Sequence, residues 1–337
     1  MKSISKDDAV KYSVSNDMEV LISVEQGETF ELETHDAFGG ELFKHGPGTF
    51  DKDDIPLFEA PPPGFKANPV AGPVHIEGAE NGDQLAIHIE NIIPEDAYAA
   101  TLDGFGNLDP LRGWEECQGN LMHSVELKPG PSGTTSDGEA VIELNDHEWS
   151  WELNPHIGTI LTAPGRTEVD TLSTQGPWGG VLNTKEVNKG STVYLNSYND
   201  GGLLFVGDIH ASQGDGEYAG VAIEASARVQ LSVEVVDDVS VPGVLRIENE
   251  ESVVHMDSTH NAGNPQTALN NCYMAVIEEL VERYGLGDRE AFLVVGNNPS
   301  VEARVFQFIQ PHYFTFGVQY DKEILEQRSK SPSRNAS

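Results

Sequence analysis

Cysteine, basic side chains and long apolar runs are all scarce in this chain of 337 residues. The two cysteines, Cys117 and Cys272, lie far apart and in no metal-binding or redox motif. We therefore predict reduced thiols and exclude a disulfide framework or a cysteine-rich zinc site. Lysine and arginine total 20 against 55 Asp and Glu, which gives a net charge of −35. This balance excludes a nucleic-acid binder that works through a basic face.

The acidic residues are dispersed along the chain, and 38% of all residues are hydrophobic. A disordered acidic protein is excluded, because such chains have few aromatic and β-branched residues. Dispersed carboxylates with few lysines predict a proteome adapted to high salt, where screening acts over about 3 Å at 1 M. No window approaches the roughly 18 apolar residues of a membrane span. Charges also fall where a secretory signal would need an apolar run, so we expect a cytoplasmic protein without a membrane partner.

The pattern from Met18 to about Ile247 predicts a mainly β fold. Short runs alternate polar and apolar residues, as in Leu85–Glu90 and Val229–Val235, and 34 glycines and 19 prolines separate them. This pattern favours a β-sandwich or barrel-like packed sheets over alternating βαβ units. We expect one domain over residues 18–325, with flexible tails at 1–12 and 328–337.

One C-terminal stretch has helical periodicity instead. Apolar residues recur every three or four positions over 266–284, with Pro265 at the start and Gly285 just past the end. This predicts an amphipathic helix, followed by a short helix at 289–295. Cys272 lies on the apolar stripe of the long helix, which favours a core residue over a thiol nucleophile.

A Gly-rich segment after the apolar run Leu203–Val206 concentrates the candidate chemistry. It holds Asp208, His210, Gln213, Asp215 and Glu217. Two residues apart on an extended chain, Asp208 and His210 point to the same side and can share a cation. The alternative interpretation is an acidic surface turn.

The string Val206–Glu217 resembles the "GDxHxxQGDGE" signature of the acetamidase/formamidase family. Glu33–Gly40, Gly72–Asp83 and His156–Gly165 resemble other blocks of that family in order. The resemblance implies a β-rich fold and metal-dependent hydrolysis of short linear amides, and a homodimer or higher oligomer. One segment departs from the family pattern, since the usual Asn is Val181 and the usual Asp is Asn183.

Amide hydrolysis requires activated water, a polarised carbonyl and a proton for the leaving nitrogen, and a divalent metal supplies the first two. We predict Asp36, Asp208 and His210 as its ligands, with zinc or calcium as the leading ions. Glu217 or Asp215 would be the general base, and Gln213 would donate to the developing oxyanion.

Three further side chains are candidate substrate contacts: His156, Asn183 and Glu77. An ordinary loop or turn residue is the alternative for His156 and Glu77. A non-catalytic metal-binding or small-ligand-binding β protein on the same scaffold is the alternative function, and the changes at Val181 and Asn183 keep it open.

Overall fold

A computed structural model describes residues 1–55, 66–103, 119–237, 239, 241–309 and 313–324 of the chain. Strands are its main secondary structure, in agreement with the predicted mainly β class. In chain order they are β1 Lys2–Ile4, β2 Ser13–Val14, β3 Ile22–Val24, β4 Phe30–Thr34, β5 Gly48–Phe50, β6 Val70–Ile76, β7 Gln84–Thr101, β8 Asn120–Lys128, β9 Glu139–Leu144, β10 His147–Glu152, β11 His156–Thr162, β12 Val169–Asp170, β13 Gln175–Gly176, β14 Gly179–Val181, β15 Thr192–Asn196, β16 Leu204–Ser212, β17 Ile223–Val236, β18 Leu245–Glu248, β19 Ser252–Ser258, β20 Val301–Ile309 and β21 Tyr313–Asp321.

Nineteen of these strands belong to one large curled sheet, which is mostly antiparallel. The long strands β7 and β17 pair along most of their length and bend at two register shifts. A curled sheet encloses its own inner face, and aliphatic side chains from β4, β6, β7, β16 and β17 fill that space. The alternation that we read from the sequence in β7 and β17 therefore separates a fully buried face from one that is less completely buried.

Strand β16 lies at the centre of the sheet and is buried along its whole length. One edge pairs with β11. The other edge pairs with β6 over Leu204–Gly207 and with β17 over Ile209–Ser212. Asp208 thus lies where β16 leaves one partner and joins the next.

Among the described residues, four α-helices accompany the sheet: α1 Glu41–His45, α2 Thr259–Ala262, α3 Pro265–Tyr284 and α4 Asp288–Asn297. Helix α3 confirms the predicted amphipathic helix, with Pro265 in its first turn and Gly285 in a left-handed C-cap. The apolar face of α3, including the buried free thiol Cys272, packs on β19 and β21. None of the helices in the described part of the chain is long and apolar enough to cross a membrane.

A buried ionic cluster also joins helix α3 to the sheet. The carboxylate of Glu279 accepts hydrogen bonds from Arg246 at 2.7 Å and from the His255 ring at 2.5 Å. Arg246 is 1% exposed and Glu279 is 5% exposed. Burial would raise the pKa of Glu279, but His255 and Arg246 outweigh burial and hold this pKa well below 4.5.

The N-terminal segment that we expected to be a flexible tail is ordered in part. Strand β1 pairs in parallel with β4, and Ala9 is fully buried against the main core. The apolar Ile4 and Ala9 each fill a site in that core, which explains why the segment is held. The other expected tail, 328–337, and Cys117 lie outside the described residues.

Candidate active site

The backbone of β16 is distorted where it carries the first predicted metal ligand. Asp208 has a positive φ of 56°, and it lies opposite Gly158 of β11. A Cβ on Gly158 would be 2.6 Å from the carbonyl oxygen of Asp208, so only glycine fits against this distortion.

Asp208 lines a cavity, and three other residues that line this cavity share its backbone conformation. Asn68, Asn183 and Glu217 have φ values of 56°, 46° and 43°. Together with Asp208 they are four of the seven non-glycine residues with positive φ in the described part of the chain, and all four line one cavity. Left-handed backbone costs of order 1 to 3 kcal/mol per residue and concentrates at functional sites.

Asp208, His210 and Glu224 form a buried cluster beside that cavity. His210 Nε2 lies 3.5 Å from Asp208 Oδ1 and 3.6 Å from Glu224 Oε1. One ligand atom from each side chain lies within 4.8 Å of the other two. His210 and Glu224 are register partners across β16 and β17, which places them side by side.

Neighbouring groups fix the orientation of each member of this cluster. Asn68 and Thr159 both donate to Asp208 Oδ2, at 2.9 and 3.1 Å, which leaves Oδ1 facing His210. His210 Nδ1 donates to Gln213 Oε1 at 2.8 Å, so Nε2 is the nitrogen that faces the two carboxylates. Partners of this kind hold metal ligands in place in known metal sites.

The cluster fits a cation. His210 Nε2 and Glu224 Oε2 are buried and have no hydrogen-bond partner among the described residues. Burial raises the pKa of Glu217 to about 7 and also raises that of Glu224. Burial would lower the pKa of His210, but the Glu224 and Asp208 carboxylates raise it to about 10. Asp208, Glu217 and Glu224 bring three carboxyl groups together, and buried carboxylates are costly unless they are paired or bind a metal. A divalent ion would balance their charge.

Several residues predicted from the sequence meet here. Glu217 is 5% exposed and lines the cavity, and Asn183 Nδ2 donates to its Oε2. His156 is fully buried, and its ring packs edge-on against His210 at 5.1 Å between centroids. Burial and the neighbouring His210 lower the pKa of His156 to about 4, so its ring is neutral near pH 7.

Gln213 is also at the site, in a different position from the one expected of an oxyanion donor. Its Nε2 donates to the carbonyl oxygens of Asn183 and Phe306, at 2.7 and 3.0 Å. Both N–H groups are thereby used, and Oε1 accepts from His210. This side chain orients His210 and joins three segments of the chain.

Other predicted residues lie apart from the cluster. Asp215 is 44% exposed and is paired with Lys185 at 2.9 Å and with Arg304 at 3.2 Å. Glu77 is exposed and accepts from Ser23.

Asp36 is buried close to the cavity but outside the three-residue cluster. Its Oδ1 accepts from Tyr98 Oη at 2.6 Å and from the Phe38 backbone at 2.8 Å. Asp36 Oδ1 therefore faces the Tyr98 hydroxyl and the Phe38 backbone, and neither of these residues belongs to the cluster.

Glu224 is the member of the cluster that the sequence analysis missed. It is a single carboxylate in the otherwise apolar or small run Val221–Ala227, and it is 2% exposed. An acidic residue in a strand that is otherwise apolar is a signal that could have identified it, because a buried carboxylate needs a partner.

The cavity has a volume of about 40 Å³. Its walls combine apolar side chains with amide and carboxylate groups. The apolar part includes Phe38, Leu172, Val181, Val221 and Ile309, and the polar part comprises Asn68, Asn183, Asp208, Glu217, Glu224 and Gln307. A small concave site with convergent polar groups and perturbed pKa values is typical of an enzyme active site.

Comparison with known proteins gives the family. A sequence profile described as the Acetamidase/Formamidase family matches residues 2–164 and 165–315. The chain therefore belongs to this family. An acetamidase of Mycolicibacterium smegmatis is 22% identical over 358 aligned positions, which cover 84% of each chain. A Schizosaccharomyces pombe relative is 26% identical over 266 residues, which cover 63% of this chain and only 60% of that protein.

Solved structures agree on the fold. An acetamidase from Yersinia enterocolitica superposes with a TM-score of 0.78 at 24% identity, covering 96% of this chain and 92% of the other. An acetamidase from Bacillus halodurans gives a TM-score of 0.77 at 24% identity, covering 96% and 99%. These likenesses establish the curled, mainly β architecture.

Proposed function

We propose that this chain is a metal-dependent hydrolase that converts short linear amides to a carboxylate and ammonia. The observation that carries the proposal is the buried cluster of Asp208, His210 and Glu224 in the wall of a small cavity. In this cluster His210 Nε2 and Glu224 Oε2 have no hydrogen-bond partner within the part of the chain that the structure describes. Membership of the acetamidase/formamidase family supports amide hydrolysis.

The ligand set we propose is Asp208, His210 and Glu224, so that Glu224 takes the place that the sequence analysis gave to Asp36. A divalent cation bound there would act as a Lewis acid on the amide carbonyl and on water. One imidazole and two carboxylates suit zinc as well as harder ions, and both zinc and calcium remain candidates.

Glu217 is the general base in this proposal, because it is the carboxylate that lines the cavity without belonging to the metal cluster. A Glu217 carboxylate oxygen takes a proton from the attacking water as the new C–O bond forms. The same carboxyl then gives that proton to the nitrogen as the C–N bond breaks, and ammonia leaves.

The size of the cavity supports a small substrate. A water molecule needs at least about 10 to 15 Å³ in this measure of volume, so 40 Å³ has room for about three such groups. Formamide has three heavy atoms and acetamide has four, which makes these two amides the first to test.

Ammonia release from formamide, acetamide and propionamide tests the proposal, on protein of measured metal content, before and after chelation and after metal is restored. We expect release that chelation abolishes and metal restores, and loss of both bound metal and turnover in His210→Ala. His88→Ala is the matched control, because His88 is a partly exposed histidine of β7 that pairs with Ser232, eight residues along β17 from Glu224. Metal binding without release from any amide would favour the alternative, a non-catalytic metal-binding protein.

We also propose that the protein works at high salt, which the net charge of −35 supports. Assays should therefore include molar KCl, and thermal unfolding at 0.1 M and 2 M KCl tests this point directly. The predicted homodimer or higher oligomer is tested by sedimentation under the same conditions.

A further inference from the structure

Asn183 is held rigidly in the cavity by its own backbone. It follows β14 in the left-handed conformation and is 4% exposed. Its backbone N–H donates to the Gly158 carbonyl at 3.1 Å, and its carbonyl accepts from Gln213 at 2.7 Å. These hydrogen bonds fix the position of the Asn183 backbone, from which the side chain extends, between β11 and the loop that carries Glu217.

The orientation of the Asn183 amide follows from its neighbour. Nδ2 donates to Glu217 Oε2, whereas the reverse orientation would bring the amide oxygen against a carboxylate oxygen. Oδ1 is buried and has no hydrogen-bond donor among the residues that the structure describes. A buried acceptor without a donor is costly, so a ligand that brings an N–H group would bind favourably here.

The unpaired oxygen lies next to the metal cluster. A Cβ built on Gly158 would be 2.8 Å from Asn183 Oδ1 and 2.6 Å from Asp208 Oδ2, so both oxygens pack closely around the Gly158 backbone. Asn183 and Asp208 also line the same cavity. Asp208 Oδ2 already accepts from Asn68 and Thr159. Asn183 Oδ1 is thus the oxygen of the two that is free to accept from a bound molecule.

We infer that Asn183 recognises the amino end of the substrate and makes the enzyme selective for primary amides over N-alkyl amides. This inference rests on the proposed amide hydrolysis. Asn183 Oδ1 accepts one N–H of the substrate NH₂ group, while Asn183 Nδ2 holds Glu217, the group that returns a proton to the same nitrogen. The N–H that Oδ1 accepts is, in this inference, the one on the same side of the C–N bond as the carbonyl oxygen. In a trans secondary amide such as N-methylacetamide the N-methyl group takes that position, and the remaining N–H points the other way, so Oδ1 is left unpaired.

The expected selectivity is large enough to measure. A site that hydrogen-bonds a substrate N–H rejects an analogue without it, because the buried acceptor is then left without a donor. For one neutral acceptor we expect kcat/KM to be about 10- to 100-fold higher for acetamide than for N-methylacetamide.

Two substitutions separate hydrogen bonding from size. Asn183→Leu keeps the volume and removes the acceptor, so the ratio of kcat/KM for the two amides should fall at least about tenfold. Asn183→Asp keeps the acceptor and tolerates a positive φ, so the ratio should persist while kcat falls for acetamide, since Asp cannot donate to Glu217. Asn297→Ala, an exposed asparagine of α4, is the matched control and should change neither quantity.

The measurements are initial rates of methylamine or ammonia release, with metal content and thermal unfolding recorded for every variant. An unchanged ratio in Asn183→Leu would overturn the inference and leave amide hydrolysis standing. Loss of bound metal in Asn183→Leu would also overturn it, because Oδ1 would then be a metal ligand. If Asn183→Leu does not fold, loss of the ratio in folded Asn183→Asp overturns the inference. Absence of any release by the metal-loaded wild type would refute the proposed function and the inference with it.

Discussion

Replacing the two candidate bases one at a time should distinguish them sharply. Glu217→Gln keeps the shape of a buried side chain in the cavity wall and removes its ability to accept a proton. Asp215→Asn makes the same chemical change two residues earlier, on a side chain that is 44% exposed and paired with Lys185 and Arg304. The two variants are therefore matched in chemistry and in chain position.

The structure predicts very different losses. A positioned general base contributes about 10²- to 10⁴-fold, so Glu217→Gln should raise the activation free energy by about 2.7 to 5.5 kcal/mol. An exposed ion pair contributes about 0 to 1 kcal/mol, so Asp215→Asn should lower kcat less than about fivefold. That loss would come from the loop carrying Glu217, which the ion pairs hold against β20 and against the segment after β14.

The assay is kcat for ammonia release from acetamide, with bound metal quantified for each protein. Glu217 is not a member of the candidate metal cluster of Asp208, His210 and Glu224. Metal content should be the same in both variants and the wild type. The reasoning fails if Asp215→Asn is as damaging as Glu217→Gln, or if Glu217→Gln retains more than about a tenth of the activity.

Three further predictions concern folding stability and metal binding. Glu279→Gln leaves Arg246 buried with one carboxylate fewer and should lower the free energy of unfolding by about 3 to 5 kcal/mol in urea titrations. Because the pKa of Glu279 is lowered in the folded state, its contribution is complete above the ordinary value of 4.5 and is lost as the pH falls below it. Wild-type stability should consequently drop faster than that of Glu279→Gln between pH 5 and pH 3, and parallel curves would contradict this. A divalent ion at 100 times its Kd should stabilise the wild type by about 2.7 kcal/mol and should not stabilise His210→Ala, as calorimetry can check. Gly158→Ala would place a Cβ 2.6 Å from a backbone oxygen of β16, so metal binding should be lost, and full metal occupancy in this variant would refute the close approach.

Much of the fold could be predicted because it depends on local patterns. Alternation in β7 and β17 and the three-to-four spacing in α3 both follow from one buried face per element. The ordering of residues 1–12 could not be predicted from this, since short segments such as β1 are held by distant strands.

The sequence identified the segment that contains the site, but it did not identify all the contacts that form the site. The motif around Asp208 and His210 lies in one segment, and the sequence shows it directly. Glu224 joins them through the pairing of β16 with β17, and that register is a property of the sheet. The direction in which Asp215 points depends on a turn, and its partner Arg304 is 89 residues away.

The site is assembled from segments that lie far apart in the chain, from Ala37 after β4 to Ile309 at the end of β20. Its hydrogen bonds cross long separations, such as the 140 residues between Asn68 and Asp208 and the 93 between Gln213 and Phe306. Contacts of this kind form late and slowly when a chain folds. Uptake of a metal ion would consequently report that the whole sheet has closed, so a partly folded molecule would have neither the ion nor the chemistry.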